Sequence, residues 1–416
     1  MCRNGRDRSL QKEVQRVFVM VKYIINLTIF ILLLLTNSFL LGQVYVVSFH
    51  DIPNPDNMTA SSDTAPNNFN DMMNFLKRQN YNVVPLLDIV HWIEGSVSLP
   101  TKAIGLATDD NYIGGYQNAY PILVSHQFYA TFFVHTYYVG VITSKDHADW
   151  TELQEMENSG YIDVESHTVT HPNLTTLSLP DLQYQLTQSK ADIESNLTSK
   201  VCKLIAYPGG AYNSTVITEC INAGYEAGFR ASGGANYGSE PLFEINRVFC
   251  DNNSTLKSFK SLIGFIGSDP NGPIIIDNVD SEFTTTGSWS TDNAVLQKYG
   301  TNYRFTSTAT TPTASAKFTP SIPQAGSYKL YAWWTLKNQM LTSVEYQIQH
   351  AGGTSTIYKN QQINGGRWNL LGEYNLSDGT SNYVSLSNVG ATGNTVVADA
   401  VKFEPATTDV SNWELY

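Results

Sequence analysis

Between Val44 and about Phe265, short apolar runs alternate with longer stretches in which apolar residues recur every three or four positions. The runs VYVVSF (44–49), AIGLAT (103–108), YATFFV (129–134), YIDVES (161–166) and KLIAYP (203–208) are rich in Val, Ile, Phe and Tyr. Several are apolar on both faces, as strands covered on both sides must be. The stretches between them, FNDMMNFLKRQ (69–79), WTELQEMENSG (150–160) and SLPDLQYQLTQSKADIESNL (178–197), have helical character. Met72, Phe75 and Leu76 stand at i, i+3 and i+4, and the last stretch opens on Ser178 with Pro180 in its first turn. A β-then-α rhythm of this kind predicts an α/β unit, a parallel sheet or (β/α) barrel.

After Phe265 the pattern changes. GSDPNGP (267–273) reads as a linker, and beyond it SYKLYAWW (327–334), SVEYQIQH (343–350), YVSLSN (383–388) and VVADAVKF (396–403) read as strands separated by Gly, Asn and Pro turns. No helical periodicity of comparable length appears, so an antiparallel β-sandwich of about 130 residues is expected here. At the other end, Lys22 is followed by YIINLTIFILLLLTNSFLLG, an apolar stretch interrupted by Asn26 and Asn37. It has the form of a secretory signal, with Met20-Val21-Lys22 as a compact n-region and cleavage near Gly42-Gln43; an uncleaved signal anchor is the alternative. The expected organisation is therefore a signal region at 1–42 with translation starting at Met20, a catalytic domain at 43–266, a linker at 267–273, a β-sandwich at 274–405 and a tail at 406–416. Secretion, to a periplasm or to the cell surface, follows.

Composition narrows the partners. The 416 residues are 42% hydrophobic and 15% charged, which excludes a disordered or fibrous chain. Asp and Glu total 37 against 25 Lys and Arg, and the resulting charge of −12 repels a polyphosphate backbone, so nucleic acid is excluded as a partner and a neutral one fits. Once Cys2 is removed with the signal, Cys202, Cys220 and Cys250 remain. This is no disulfide scaffold, although Cys202 and Cys220 flank one strand and are able to pair in an oxidising compartment.

Polar residues gather at the ends of the apolar runs: His50-Asp51 after the first, Asp109-Asp110 after the second, His167 to His171 after the fourth, and Pro208-Gly209-Gly210 after the fifth. Singly, an Asp pair after a strand is a turn or a helix cap, and one i, i+4 His pair arises easily by chance. In a (β/α) barrel, however, the carboxyl ends of the strands share one face, and these segments converge. Two neutral imidazoles and one carboxylate leave positions open on a divalent cation for a water and a substrate oxygen. Asp110, His167 and His171 fit as ligands, Asp109 as the base that deprotonates the water, and His50 as the acid for the leaving group. Backbone N–H groups in the Gly209-Gly210 turn suit an oxyanion.

ATDDNY (107–112), ATFFV (130–134), WTELQEMENSGYIDVESHTVTHPNL (150–174) and AYPGGAYN (206–213) resemble the ordered motifs of the polysaccharide deacetylases of carbohydrate esterase family 4, the NodB-homology fold. The resemblance covers nearly all of 44–265. It implies a distorted (β/α) barrel, Asp109 as base, Asp110, His167 and His171 on a divalent metal (Zn2+ first, then Co2+, Ni2+ or Mn2+), and removal of acetyl groups from a polysaccharide. Four departures stand out. The family's Arg before the Pro of its third motif is Ala206, a role open to Arg247. The aromatic after that Pro is Gly209, and the Gly after the Asp pair is Asn111. Glu165 replaces a small residue, as a partner of the site or as a displaced group. The late Leu-x-Leu-His motif is absent, and VSFHDI (47–52) is similar to the version in poly-N-acetylglucosamine deacetylases, where that element comes first in the chain. Residues 274–405 resemble the golvesin-type or xanthan-lyase C-terminal domain, in which Trp289, Trp333, Trp334 and Trp368 serve either as sugar-stacking faces or as core.

His135, directly after ATFFV, lies on the same barrel face, as a sugar contact or a plain loop histidine. His91, His126, His147 and His350 have no partner pattern and are read as structural or solvated. The combined expectation is a secreted metal-dependent enzyme acting on an acetylated N-acetylglucosamine polymer or oligomer, poly-N-acetylglucosamine or chitin-like, with no cofactor beyond the metal. An O-acetyl xylan esterase on the same site and a non-catalytic glycan-binding protein are the alternatives.

Overall fold

The computed structural model describes residues 42–406, so the secretory signal expected from the first residues and the end of the expected tail lie outside the described residues. The N-terminal unit is built on parallel strands β1 (Tyr45–Phe49), β2 (Asn82–Val83), β3 (Ala103–Asp109), β4 (Ala130–Val134), β5 (Ile162–Ser166), β6 (Leu204–Ala206), β7 (Ala227–Phe229) and β8 (Val248–Phe249). They form one sheet in the order β7-β6-β5-β4-β3-β1-β8, with β2 on β3. The sheet curls on itself. Ile245 pairs in parallel with Phe229 of β7, and three residues later β8 pairs with β1, so one short segment closes a distorted barrel. All five strands read from the sequence are present; β2, β7 and β8, of two or three residues each, are too short to leave a periodic signal.

Helices α1 (Pro66–Arg78), α2 (Leu86–Ile93), α3 (Tyr120–His126), α4 (Trp150–Asn158), α5 (Leu179–Asn196), α6 (Ser214–Asn222) and α7 (Leu256–Leu262) surround the sheet. Their starts are written in the chain: Asp149 and Glu152 form a reciprocal capping box on α4, and Ser178 accepts from the Asp181 N–H at the head of α5. Strand alternation sorts the core into two. Val47, Phe132, Val134, Ile162 and Val164 meet the helices. Val46, Phe133, Leu204 and Phe229 point the other way and pack with Leu86, Ile89 and Val90 of α2, which plugs the barrel. The fit there is close enough that a Cβ at Gly105 of β3 would stand 2.4 Å from the Leu86 side chain. Every catalytically suggestive segment is left at the carboxyl ends of the strands, the open face.

The C-terminal unit is all antiparallel. One five-stranded sheet runs β10 (Phe283–Thr286), β13 (Ser315–Phe318), β18 (Tyr383–Ser387), β15 (Val344–His350) and β16 (Gly353–Lys359); a four-stranded sheet runs β17 (Asn369–Leu376), β14 (Gly326–Trp333), β20 (Ala400–Pro405) and β9 (Ile274–Asp277). A third, β11 (Ser290–Asp292), β12 (Tyr303–Ser307) and β19 (Thr395–Ala398), flanks them. Leu330 and Phe403 from one large sheet and Phe318, Ile348 and Val384 from the other share one core, as in a sandwich. The run VVADAVKF, which reads as one strand, is two. The chain changes sheet at the buried Asp399, whose Oδ2 accepts from the Tyr299 N–H at 3.0 Å.

The two units are not loosely tethered. In the connecting stretch, Asp269 accepts from Arg78 (3.0 Å), Gln79 (3.1 Å) and Lys260 (3.0 Å). Met58 and Ala65 of the barrel are buried with Tyr299, Trp333 and Ala400 of the sandwich, and Trp368 packs against them. Behind this cluster Asp71 of α1 receives the Lys402 ammonium at 3.1 Å and the Trp368 indole N–H at 2.9 Å. The Trp pair thus divides its duties: Trp333 serves the junction and Trp334 the sandwich core, each 1% exposed. The Trp289 indole N–H is bonded to the carbonyls of Thr286 and Ser315, both at 3.1 Å. Of the four Trp residues, Trp333 and Trp334 offer no free face to a sugar, and Trp368 spends its N–H on the barrel.

Breaking the Asp71–Lys402 pair from one side strands a buried charge. Lys402→Ala is therefore expected to destabilise the chain by about 3–5 kcal/mol in denaturant unfolding, and the double variant Asp71→Asn/Lys402→Met to recover most of that loss. Additive losses in the double variant would show that the two groups do not act as a pair.

Candidate functional site

Asp109 ends β3 and is buried. Arg247, itself 1% exposed, grips it with two parallel bonds, Nη1 to Oδ1 at 2.6 Å and Nη2 to Oδ2 at 2.9 Å. The same guanidinium donates to Ser48 Oγ of β1 at 3.1 Å and to the Arg230 carbonyl at 3.2 Å. Burial pushes the Asp109 carboxyl up, but the guanidinium opposes it and wins, and the group is held at about 2. Asp109 is thus a fixed anion. Arg247 stands beside β8, far in sequence from Ala206, yet its fork occupies the position from which an Asp at the end of β3 can be oriented.

Asp110 follows with φ of 73°, and Asn111 with 39°. Left-handed backbone favours Gly; Asn tolerates it because its short amide bonds locally, and here Asn111 Oδ1 accepts from the His135 N–H at 3.3 Å. After β5 the segment His167 to His171 is a knotted turn. Thr168 and His171 are both left-handed, at 71° and 58°. Gln185 of α5 accepts from the Val169 and Thr170 N–H groups, each at 3.0 Å, and Thr168 Oγ1 accepts from the His171 N–H at 3.1 Å. The two imidazoles, four residues apart, are brought to ring centroids 4.8 Å apart by this turn rather than by a helix. Strained backbone held by side-chain bonds is the kind of conformation that functional sites retain.

His167 Nε2 and His171 Nε2 each lie 3.6 Å from Asp110 Oδ1. The donor atoms of these three residues fall within 4.8 Å of one another, the one such group found among the described residues. Ligands on a tetrahedral cation with bonds near 2.1 Å stand about 3.4 Å apart, so the set fits a divalent ion. Two further observations agree. Asp110 Oδ1 is buried with no hydrogen-bond partner. His167 Nδ1 lies 2.8 Å from the Ala206 carbonyl, which places the proton there and turns the Nε2 lone pair to the site. Burial drives the His167 imidazole down to about 3 and lowers His171 also, so both stay neutral as ligands must; burial and the Asp109 charge push Asp110 up to about 6.

His50 follows β1 on the same face, its ring 5.4 Å from that of Phe249 and its Nδ1 buried without a partner. Asp51 does not orient it. That carboxylate turns to the Lys145 ammonium at 2.8 Å, and Lys145 also bonds Asp63. His135 Nε2 comes to 3.7 Å from Asp110 Oδ1 but does not join the three-residue group; burial holds it neutral, at about 3, against Tyr138 and His147. His147 is itself buried and part of this wall. Gly209 has φ of 58° and nothing within 4 Å of where a Cβ would stand, so its turn faces open space, whereas a Cβ at Gly210 would stand 2.6 Å from Ala231. Glu165 takes no part in the site: it accepts from the Lys203 and Leu204 N–H groups, at 2.8 and 2.6 Å, and pairs with Lys200, which pins the start of β6. Cys202, Cys220 and Cys250 are free and buried. Sequence reasoning missed Lys145, Asp63 and Ser48. Each is a common residue in an irregular or apolar stretch, and only the closed barrel brings it to the face.

A fixed anion beside three metal-type donors on an open face suits hydrolysis. Residues 96–228 match the polysaccharide deacetylase family, and residues 274–405 match the golvesin C-terminal domain. The chain thus carries a polysaccharide deacetylase domain followed by a golvesin domain. Among relatives it is similar to the xanthan lyase of Bacillus sp. (strain GL1), 36% identical over 151 residues that make up 33% of this chain and 16% of that one. It is also similar to a poly-beta-1,6-N-acetyl-D-glucosamine N-deacetylase of Staphylococcus aureus (strain MRSA252), 26% identical over 211 residues, 48% of this chain and 72% of that one. The chain spans 16% and 51% of the first two curated relatives it matches, the second being YxkH of Bacillus subtilis (strain 168). A solved Streptococcus pyogenes deacetylase, PplD in complex with acetate, aligns with TM-score 0.49 at 22% identity over 53% of this chain and 98% of that one. His50 and Arg247 both fall outside the family-matched span.

The donor set generates a direct test. Chelator-stripped protein is expected to rebind one Zn2+ per chain in calorimetric titration, and Asp110→Ala or His171→Ala to weaken that binding by about 100-fold or more with the circular dichroism spectrum unchanged. Unaltered Zn2+ affinity in both variants would exclude this site.

Proposed function

We propose that the chain is a secreted, metal-dependent deacetylase that removes acetyl groups from an N-acetylglucosamine-containing polysaccharide, of poly-N-acetylglucosamine or chitin type. The observation that carries this reading is the pairing of an Arg-clamped anion, Asp109, with the Asp110, His167 and His171 donors on one open face. The staphylococcal relative's substrate supports the choice of polymer, and the apolar 23–42 segment supports export. Among the described residues no helix is long and apolar enough to cross a membrane.

In this reading Asp110, His167 and His171 hold the cation, Zn2+ first. A carboxylate held at about 2 is a weak base, and a divalent cation supplies what it lacks, an acidified water and a polarised acetyl carbonyl. Asp109 takes the water's proton, with Arg247 fixing the carboxylate so that the receiving oxygen does not wander. N–H groups of the Gly209–Gly210 turn stabilise the developing oxyanion. His50 gives a proton to the departing amine, without which a C–N bond breaks poorly, and His135 lines the wall where the sugar enters.

An O-acetyl esterase uses the same groups but needs the His50 proton less, because an alkoxide leaves more readily than an amide anion. The two readings separate by experiment. Acetate release from N-acetylglucosamine oligomers should be abolished by chelator and restored by Zn2+ or Co2+. Asp109→Asn and His50→Ala should each lower kcat on these oligomers by about 100-fold or more with Zn2+ content retained, and His50→Ala should cost an activated aryl acetate less. Release from acetylated xylan alone would establish the esterase, and no release from any acetylated glycan would leave a binding protein.

A further inference from the structure

No hydrogen bond aims the His50 imidazole. Its Nδ1 has no hydrogen-bond partner, its neighbour Asp51 is engaged elsewhere, and its ring rests on Phe249. Where it points therefore depends on the path of residues 50–65, a connection between β1 and α1 that forms no strand.

That connection is held from two sides. The barrel side supplies Asn118 to the Ile52 carbonyl at 2.7 Å, Lys145 to Asp51 at 2.8 Å and the Asn252 N–H to the Ser61 carbonyl at 3.1 Å. The other side is the sandwich. Gln297 Nε2 donates to the Pro55 carbonyl at 3.0 Å, and Arg367 Nη2 to Asp56 Oδ2 at 3.0 Å. Met58 and Ala65 are sunk into the aromatic junction. At the far end, the Trp368 backbone N–H meets Asn67 Oδ1 at 3.2 Å, and its indole and Lys402 hold Asp71. Each of these sandwich contacts falls between residues 55 and 71, on the loop that begins with His50 or on the first turns of the helix that ends it; a separate one, Lys257 to Asp280 at 2.6 Å, joins the sandwich to α7.

We propose that the golvesin domain is a positioning element of the catalytic centre: Gln297, Arg367, Trp368 and Lys402 fix the β1–α1 loop so that His50 stays on line with the Asp109–Asp110 site. This rests on the reading of His50 as the acid given above. The domain then acts through the loop and touches no substrate. A displacement of the acid by about 1 Å is enough to cost two orders of magnitude in rate, so a modest slackening of the outer side of the loop has a catalytic effect.

The test uses the full chain with Arg367→Ala and Trp368→Phe, the second leaving a smaller aromatic ring in the cluster and removing the indole N–H to Asp71. Two readouts are taken. Hydrogen exchange of peptides within 50–65 should rise several-fold in both variants while β3 and β5 peptides are unchanged; unchanged exchange in that loop overturns the proposal, whatever the enzyme acts on. In turnover, kcat on an N-acetylglucosamine oligomer should fall about tenfold with KM and Zn2+ content unchanged, and kcat on an activated aryl acetate should fall far less. Equal losses on amide and ester, as a smaller folded fraction would give, overturn it. Wild-type protein that spares the amide altogether would refute the deacetylase reading, and the exchange result would still decide the positioning claim.

Discussion

Arg247 and Asp109 form the interaction on which both the barrel and its chemistry depend. Two charges taken out of water are tolerable only when their geometry satisfies nearly every donor and acceptor, and here the fork of one meets both oxygens of the other. The bond ties the closing segment to β3 across β1, and the same guanidinium reaches the Arg230 carbonyl on the other side of the closure. Arg247 immediately precedes β8, the closing strand, Asp109 ends β3, and Ser48 on the intervening β1 is bonded to the same guanidinium. Closure of the sheet and orientation of the anion are thus one event. A chain that has not closed the barrel has no formed site.

The donors beside that anion are held by a different device. None of Asp110, His167 and His171 lies in regular structure. Asp110 and His171 are left-handed, and the turn joining the two histidines is tied down by Gln185 from α5 and by Thr168. Folding free energy from the helix-covered core is stored here as local strain, which keeps Nε2 atoms and a bare carboxylate oxygen facing one another. Neutral imidazoles follow from burial and the carbonyl of Ala206 follows from the register of β6 on β5, so ligand protonation is also a product of the fold.

Much of this was legible in the sequence. Strands β1, β3, β4, β5 and β6, the start of α5 and the convergence of His50, Asp109, Asp110 and His167 to His171 on one face all follow from periodicity and from the geometry of parallel sheets. Strands β2, β7 and β8 were not legible, because two or three residues carry no period; β6 is as short, and was legible through the longer apolar run KLIAYP around it. The break in VVADAVKF was hidden for another reason: Asp399 in an apolar run looks like an outward strand position, while in three dimensions it is a buried corner that accepts the Tyr299 N–H. Asp51 is a case where adjacency says nothing about partnership. It follows His50 in the chain, but successive residues leaving a strand point in different directions, and a lysine from residue 145 claimed it. Arg247 was legible only as a candidate, since no local pattern says which arginine will fill a gap left by Ala206.

The tryptophans carry the last step. An aromatic-rich β-domain beside a glycan enzyme invites a carbohydrate-binding reading, and composition alone cannot separate that from packing. Exposure can. Trp333 and Trp334 are 1% exposed, and Trp368 directs its N–H to Asp71, 297 residues away in the chain. A module selected for independent sugar binding keeps its aromatic faces in water, whereas one selected to brace a neighbour buries them at the junction and satisfies their N–H groups across it. Trp368 follows the second pattern, and with Trp333 it packs against the stretch leading from the candidate acid into α1; the Trp333 and Trp334 N–H groups go to the Gln297 and Ile363 carbonyls of their own domain. The sequence break at 267–273 therefore marks a change in secondary structure rather than a boundary of function: two folds with separate cores meet at a surface whose residues come from both.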